Sequence, residues 1–360
     1  MNKNRRKSED SPLRRHTNNP ILQANPDTYW ESGAVFNPGA VMDDKGVIHL
    51  LYRAVRAGYV RKQDYGYDNY VSVIGHATSE DSAHFRERTL RIDLGETLDR
   101  FSCEDARITR LEGEYLITYT GLTSPAFTWK GYRPMLASTK DFNSVEKHGN
   151  LGPDIENKDV VIFPETINGR VVALQRIGTD IQIIYYESVE HLKKGYDRAY
   201  WERYLKHLKD HVVLQRKFKW EAMKVGAGPP PIKMDVGWLL IYHGVDKRNV
   251  YRAGVALLDA DDPQRVIRRA PLPILTPSED YERFGDIPNV VFPTGAVVKG
   301  GRLLLYYGAA DRYCCLATCE LQELVDYTCQ KYSKPLNFIR GNRLIKRRNI
   351  DQRNIKLNQV

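Results

Sequence analysis

An all-β fold, a five-bladed β-propeller with one inserted helical segment, is what the sequence predicts, and three observations carry that expectation. A short phrase returns five times: FNPGAVMDDKGVIHLLYRA (36–54), EDARITRLEGEYLITYTG (104–121), IFPETINGRVVALQRIG (162–178), GPPPIKMDVGWLLIYHG (228–244) and VFPTGAVVKGGRLLLYYGAAD (291–311). Each reads as an apolar alternating strand, a glycine turn and a second apolar strand, which is hairpin patterning. The turn glycines Gly46, Gly113, Gly169, Gly237 and Gly300 are 67, 56, 68 and 63 residues apart. Hairpin units repeated at that period belong to radial β architectures.

In chain order, residues 1–20 read as a flexible N-terminal arm, and the propeller is expected over 21–325. Blade one carries a long connection, RAVRAGYVRKQDYGYDNY (53–70), rich in Tyr, Arg and Asp, of the kind that forms functional loops. Third strands follow the hairpins as VSVIGHATSED (71–81), PMLASTKDF (134–142), IQIIYYES (181–188), YRAGVALLD (251–259) and CCLATCEL (314–321). Only 188–214 breaks the β rhythm: Leu192, Tyr196, Tyr200, Tyr204 and Leu208 recur every four residues, which is helical spacing. That segment could roof a site, make a subunit contact, or simply expose its charged face. Residues 326–360 form a basic C-terminal tail.

The net charge of +9 is concentrated at the ends. Residues 1–16 carry +4 and residues 331–360 carry +8, so the body between them is −3. Basic ends on a mildly acidic body do not make a duplex-binding face, and no nucleic-acid partner is expected. The tails are expected to be solvated or to pack on a second copy. Five cysteines, without a CxxC pair or matching histidines, argue against a disulfide framework and a zinc site. There is neither a signal-like apolar start nor a membrane-length apolar run, so a cytoplasmic protein with no membrane partner is the expectation.

In a propeller the starts of the innermost strands converge on one mouth of the central channel. That places Asn37, the Glu104–Asp105 pair, Glu165, the Lys224–Gly228 approach and Thr294 together, with Arg53, Arg176, Tyr242–His243 and Asp311 from the ends of second strands. Asp105 is the sharpest candidate: beside Cys103 and Ala106, desolvation would raise its pKa and let it serve as an acid. The plain alternative is a turn cap or an ion pair with Arg107. Lys158, Arg176, Lys224 and His243, with Tyr242, supply the several fixed donors that an oxyanion requires. There is no Walker loop and no GxGxxG at a strand–helix junction, so inorganic phosphate, and not a nucleotide, is the expected anion.

The segments FNPGA, LLYRA, EDARIT, ITYTG, FPE, KVGAGPPPI, YHGV, YRAGVALLD, PNVVFPTGA and YYGAAD, in that order, closely resemble glycoside hydrolase family 130, the propeller family of β-mannoside phosphorylases and related β-mannosidases. The resemblance covers residues from about 20 to 320. It implies that Asp105 is the general acid, its proton passing through a hydroxyl of the mannosyl ring. It implies phosphate contacts from Lys158, Arg176, Lys224, Tyr242 and His243, and sugar contacts from Asn37, Arg53 and Asp311. Glu104 and Glu165, at strand starts, join the sugar-binding set. Ala106 stands where the family has Pro, and Gln175 where many relatives have His.

The resulting expectation is inverting phosphorolysis of β-mannosides, with β-1,2-mannobiose or short β-1,2-mannooligosaccharides favoured from overall likeness, giving α-mannose 1-phosphate. No metal or other cofactor is implied, phosphate being the co-substrate. Phosphorolysis of β-1,4-mannosyl-glucose, -N-acetylglucosamine or -mannooligosaccharides is one alternative. A non-catalytic glycan-binding propeller is another. An inverting exo-β-mannosidase is a third, and it needs a second carboxylate to activate water, for which Glu165, Glu221 and Asp311 are the candidates. A homo-oligomer could form through the tails or the helical segment.

Overall fold

The hairpin phrases become the innermost strands of five antiparallel sheets. The computed structural model of the chain describes residues 11–128 and 130–330. Blade one is Ala34–Met42, Ile48–Val55, Ser72–Ser79 and Arg86–Ile92; blade two is Ser102–Leu111, Glu114–Leu122, Tyr132–Thr139 and Glu146–Asn150. Blade three is Asn157–Ile162, Val171–Ile177, Ile181–Tyr186 and Val212–Leu214. Blade four is Lys224–Ala227, Gly237–Val245, Tyr251–Leu258 and Val266–Arg269, with Ile232–Met234 as a second inner piece. Pro229, Pro230 and Pro231 split that inner strand, since three successive residues lack the N–H a ladder needs.

Blade five is Val291–Lys299, Arg302–Ala309, Tyr313–Glu320 and, as its outermost strand, Arg14–Arg15 from the start of the chain. Residues 11–20 are therefore part of the ring and not a free arm. Leu13 is buried, Leu22 bridges Cys314, and Arg15 Nε lies 2.7 Å from Glu282 Oε1. Two arginines in sequence carry no strand pattern, which is why composition alone reads them as solvated. The tail after residue 330 lies outside the described residues.

The core is a circle of interfaces. Separate apolar clusters join blades one and two, two and three, three and four, four and five, and five and one. Trp238, fully buried between blades three and four, is the largest of these side chains. Its truncation to Ala would cost roughly 3–5 kcal/mol. The helix Leu321–Cys329 packs Leu324 and Val325 into the interface of blades four and five.

The predicted long helix is two short ones, Val189–Lys194 and Arg198–Lys206. Gly195, at φ 70°, ends the first, and Asp197 caps the second by accepting the Tyr200 N–H. The four-residue repeat still does its packing work: Leu192, Trp201 and Tyr204 are buried against blade three, and Tyr204 Oη donates to Ile183 O at 2.8 Å. This segment lies on the outside of the ring and lines no part of the central cavity described below.

Bulges in the inner strands position the site. Strand register shifts between Phe36 and Gly39, Glu104 and Arg107, and Lys158 and Val161. At these points Asn37, Asp105 and Asp159 take φ of 50°, 53° and 57°. Asn and Asp tolerate this left-handed conformation better than most side chains, and a bulge re-aims the residue it carries. Three successive blades thus turn one short polar side chain each into the channel mouth.

Candidate active site

The cavity at that mouth has a volume of about 300 Å³. Asn37, Arg53, Glu104, Asp105, Lys158, Arg176, Lys224, His243 and Asp311 all line it, so nine side chains singled out in the sequence meet in one place. Two do not. Tyr242 is buried on the opposite side of its strand from His243, because successive strand residues face opposite ways. Its Oη donates to Glu221 Oε2 at 3.2 Å and accepts from Arg269 Nε at 3.0 Å, inside the interface of blades three and four. Glu165 lies beyond Ile162, where the inner strand ends. Its side chain is more than half exposed, with Lys233 Nζ at 4.0 Å. The FPE phrase follows the inner strand of blade three and does not open it, so Glu165 sits at the far end of the hairpin from Lys158.

One sector of the cavity is densely paired. Arg53 Nη2 donates to Glu104 Oε1 at 2.7 Å, and its Nη1 lies 3.6 Å from Asp105 Oδ1. Lys158 Nζ donates to the other Glu104 oxygen at 2.8 Å and stands 4.2 Å over the Tyr132 ring. Asn37 Nδ2 donates to Asp105 Oδ1 at 2.7 Å, leaving its own buried Oδ1 without a partner. Burial pushes the Asp105 carboxyl up, but Arg53, Lys158, Arg107 and the Asn37 amide outweigh it, and the net shift is downward. This corrects the expectation of a raised pKa: the apolar neighbours Cys103 and Ala106 were visible in sequence, while the three cations arrive from blades one, two and three.

The opposite sector holds Lys224, Arg176 and His243. No carboxylate pairs with Lys224 among the described residues. Its Nζ lies 5.2 Å from the Tyr251 ring centre. Burial, reinforced by Arg176 and Lys158 and opposed by Asp159 and Asp311, pushes its pKa down to about 7. His243 is pushed down to about 3, by burial first and then by neighbouring cations, against the pull of Asp159. Asp311, at φ 50°, is raised to about 7, chiefly by burial; Arg53 opposes this, and Asp105, Asp286 and Glu104 add to it. The cavity therefore holds an under-neutralised cation, a neutral imidazole and a carboxyl that is half protonated at neutral pH.

Several lining residues escaped the sequence reading. Asp159 is buried, with Arg176 Nε at 2.6 Å and Arg107 Nη2 at 3.4 Å. Its place in blade three matches those of Asn37 and Asp105, and the Asn/Asp identity at three equivalent bulges was the available signal. Asn157 and Tyr251 also line the cavity. The rim is built by two loops, as the 53–70 and 122–133 connections suggested. Phe127 of the second loop packs so closely on Gly66 of the first that a Cβ there would lie 2.3 Å from its ring. The Glu156 carboxylate pins the second loop by accepting the N–H groups of Gly131 and Tyr132, each at 2.9 Å.

Comparison with known proteins adds to this geometry. A family model described as beta-1,4-mannooligosaccharide phosphorylase matches residues 5–330. The 1,2-beta-oligomannan phosphorylase of Thermoanaerobacter sp. (strain X514) is 38% identical over 313 residues, which is 87% of this chain and 98% of the relative. The solved β-1,2-mannobiose phosphorylase of Listeria innocua, in complex with β-1,2-mannobiose, superposes with a TM-score of 0.73 at 29% identity, covering 88% of this chain and 99% of that one. A solved structure reported with glycoside hydrolases of the same fold that target β-1,2 mannosidic linkages in Candida mannan gives 0.72 at 26% identity, covering 87% and 95%.

Proposed function

The chain belongs to glycoside hydrolase family 130, and from that premise we propose that it is an inverting β-mannoside phosphorylase acting on β-1,2-mannobiose or short β-1,2-mannooligosaccharides. The observation that carries this is Lys224: a buried cation with no paired carboxylate, beside Arg176, in the same cavity as Asp105. A cation so placed is completed by an anion, and phosphate offers charge-assisted hydrogen bonds to several fixed donors at once. The β-1,2 preference rests on the likeness to the Thermoanaerobacter and Listeria enzymes.

A phosphate oxygen attacks the anomeric carbon from the face opposite the leaving sugar. The new C1–O bond to phosphorus forms as the glycosidic C1–O bond breaks, and the leaving oxygen takes a proton. The products are α-mannose 1-phosphate and the shortened saccharide. Asp105 supplies that proton through a hydroxyl of the mannosyl ring. Its pKa is low in the free enzyme because Arg53, Lys158 and Arg107 face it. Phosphate arriving beside Lys224 and Arg176 brings negative charge into the same small cavity, which favours the protonated acid. Asn37, Arg53 and Asp311 hold the sugar, and Glu104 fixes Arg53 and Lys158 between its two oxygens. Phosphate is the co-substrate, and the reading needs no cofactor.

A hydrolase would need a second carboxylate to activate water. Of the three weighed, Glu165 is outside the cavity and Glu221 is committed to Tyr242 and Arg269, which leaves Asp311. Incubating a panel of β-mannosides with and without inorganic phosphate separates the readings. Phosphate-dependent cleavage yielding mannose 1-phosphate is expected. Equal release of free mannose without phosphate would replace phosphorolysis by hydrolysis, with Asp311 as the base. The five unpaired cysteines and the absence, among the described residues, of a helix long and apolar enough to cross a membrane support a cytoplasmic setting.

A further inference from the structure

Asp159 is the counterpart, one blade further round, of the proposed acid Asp105, yet it sits among the proposed phosphate ligands, where a negative charge should weaken anion binding. Its contacts resolve the contradiction. The carboxylate is buried at 3% exposure on the blade-three bulge. Oδ2 accepts from Arg176 Nε at 2.6 Å and lies 3.7 Å from His243 Nε2, while Oδ1 faces Arg107 Nη2 at 3.4 Å. Nothing larger than glycine fits beside this cluster: a Cβ on Gly226 would fall 2.4 Å from both Asp159 Oδ2 and His243 Cε1. That close approach gives the glycine of KVGAG a physical reason.

We propose that Asp159 is the positioning residue of the phosphate pocket, a buried carboxylate that fixes the guanidinium of Arg176 and the ring of His243 for an anion it does not itself touch. Holding Arg176 through Nε leaves the outer guanidinium nitrogens to meet the anion, of which Nη1 also donates to Gly178 O at 3.0 Å. Facing Nε2 of His243, it favours the tautomer with the proton on that nitrogen. The three bulges thus divide the work: Asn37 orients the acid, Asp105 is the acid, and Asp159 orients the anion's ligands. This assignment rests on the phosphorylase reading above.

The test is a comparison of Michaelis constants. In the wild-type enzyme, cleavage must first be shown to depend on phosphate; if it does not, the phosphorylase reading itself fails. Given that dependence, Asp159→Asn should raise KM for phosphate by roughly 10-fold to 100-fold, the scale of a misaimed ligand, and leave KM for the mannoside within about threefold. The double variant Asp159→Asn/Arg176→Ala should be no worse toward phosphate than Arg176→Ala alone, because Asp159 acts through Arg176. A merely structural ion pair with Arg107 would instead lower thermal stability and leave the ratio of the two Michaelis constants unchanged. If Asp159→Asn does not accumulate as folded protein, Gly226→Ala makes the same measurement by pushing the carboxylate aside without removing its charge. An unchanged phosphate KM in whichever variant folds, or full additivity with Arg176→Ala, overturns the assignment.

Discussion

The two sectors of the cavity hold similar side chains in opposite states of compensation. Around Glu104, two cations and one carboxylate are locked at 2.7 and 2.8 Å, and Asp105 is pinned by Asn37 at 2.7 Å. Around Lys224 the cation stands without a paired carboxylate, close enough to Arg176 and Lys158 to lose part of its affinity for a proton. The first sector is already satisfied and suits a neutral, hydroxyl-rich ring, which can join hydrogen bonds without bringing charge. The second is incomplete until an anion arrives. The difference teaches that pairing, more than residue type, separates a sugar site from an oxyanion site: Lys158 and Lys224 are both lysines lining the same cavity, and only one has charge to spare.

The largest test of this division is Asp105→Asn, which keeps shape and the Asn37 contact geometry but cannot deliver a proton. Turnover should fall by roughly 10²–10⁴ with the melting transition preserved. Near-normal turnover would remove Asp105 from the chemistry and leave the paired sector purely as a binding surface. Next in size is Lys224→Ala, which should raise KM for phosphate by roughly 10-fold or more while changing KM for the mannoside far less; the reverse pattern would invert the assignment of the two sectors.

The same lysine makes a prediction about pH. Because its free-enzyme pKa is pushed down to about 7, it is charged below that value and neutral above it. Sulfate keeps its charge through the neutral range, so its inhibition constant should worsen as pH rises through about 7, by up to tenfold per pH unit. Asp311, raised to about 7, becomes anionic over the same range and adds in the same direction. The part of the slope that vanishes in Lys224→Ala belongs to the lysine, and a wild-type profile flat across this range would mean that Lys224 is already neutralised. Smallest of all should be Glu165→Gln, whose side chain is exposed at the other end of its blade. Both Michaelis constants should stay within about twofold of wild type, in line with surface substitutions away from structural features.

Much of the architecture was legible because it repeats. The hairpins of blades one, two and five fall where the phrases put them, and nine of the eleven named site residues reach one cavity. The exceptions share a physical cause. Tyr242 and His243 were taken together, although strand alternation lets only one of two neighbours face the channel. Glu165 was placed by analogy with FNP, although the inner strand of blade three runs from Asn157 to Ile162, ahead of its FPE segment. Asp159 was overlooked because a register shift is a relation between two strands, and the left-handed turn it imposes leaves only an unremarked Asp in the text. The net sign of the Asp105 shift was likewise beyond reach, being a balance of charges from three blades.

The ring closes by zipping the beginning of the chain onto its end. Blade one meets blade five at this seam, where Thr294 Oγ1 donates to Pro38 O at 3.1 Å and Asn37 packs directly against Gly308. Asn37 and Arg53 lie on one side of the seam and Asp311 on the other, so the proposed sugar contacts come from segments separated by most of the sequence. A growing polypeptide could assemble blades two to four in order and still lack a complete sugar pocket. Competence would then come in a single late event, when Tyr313–Glu320 offers its edge to Arg14–Arg15. The clasp that shuts the circle would also be the moment the enzyme first acquires a substrate.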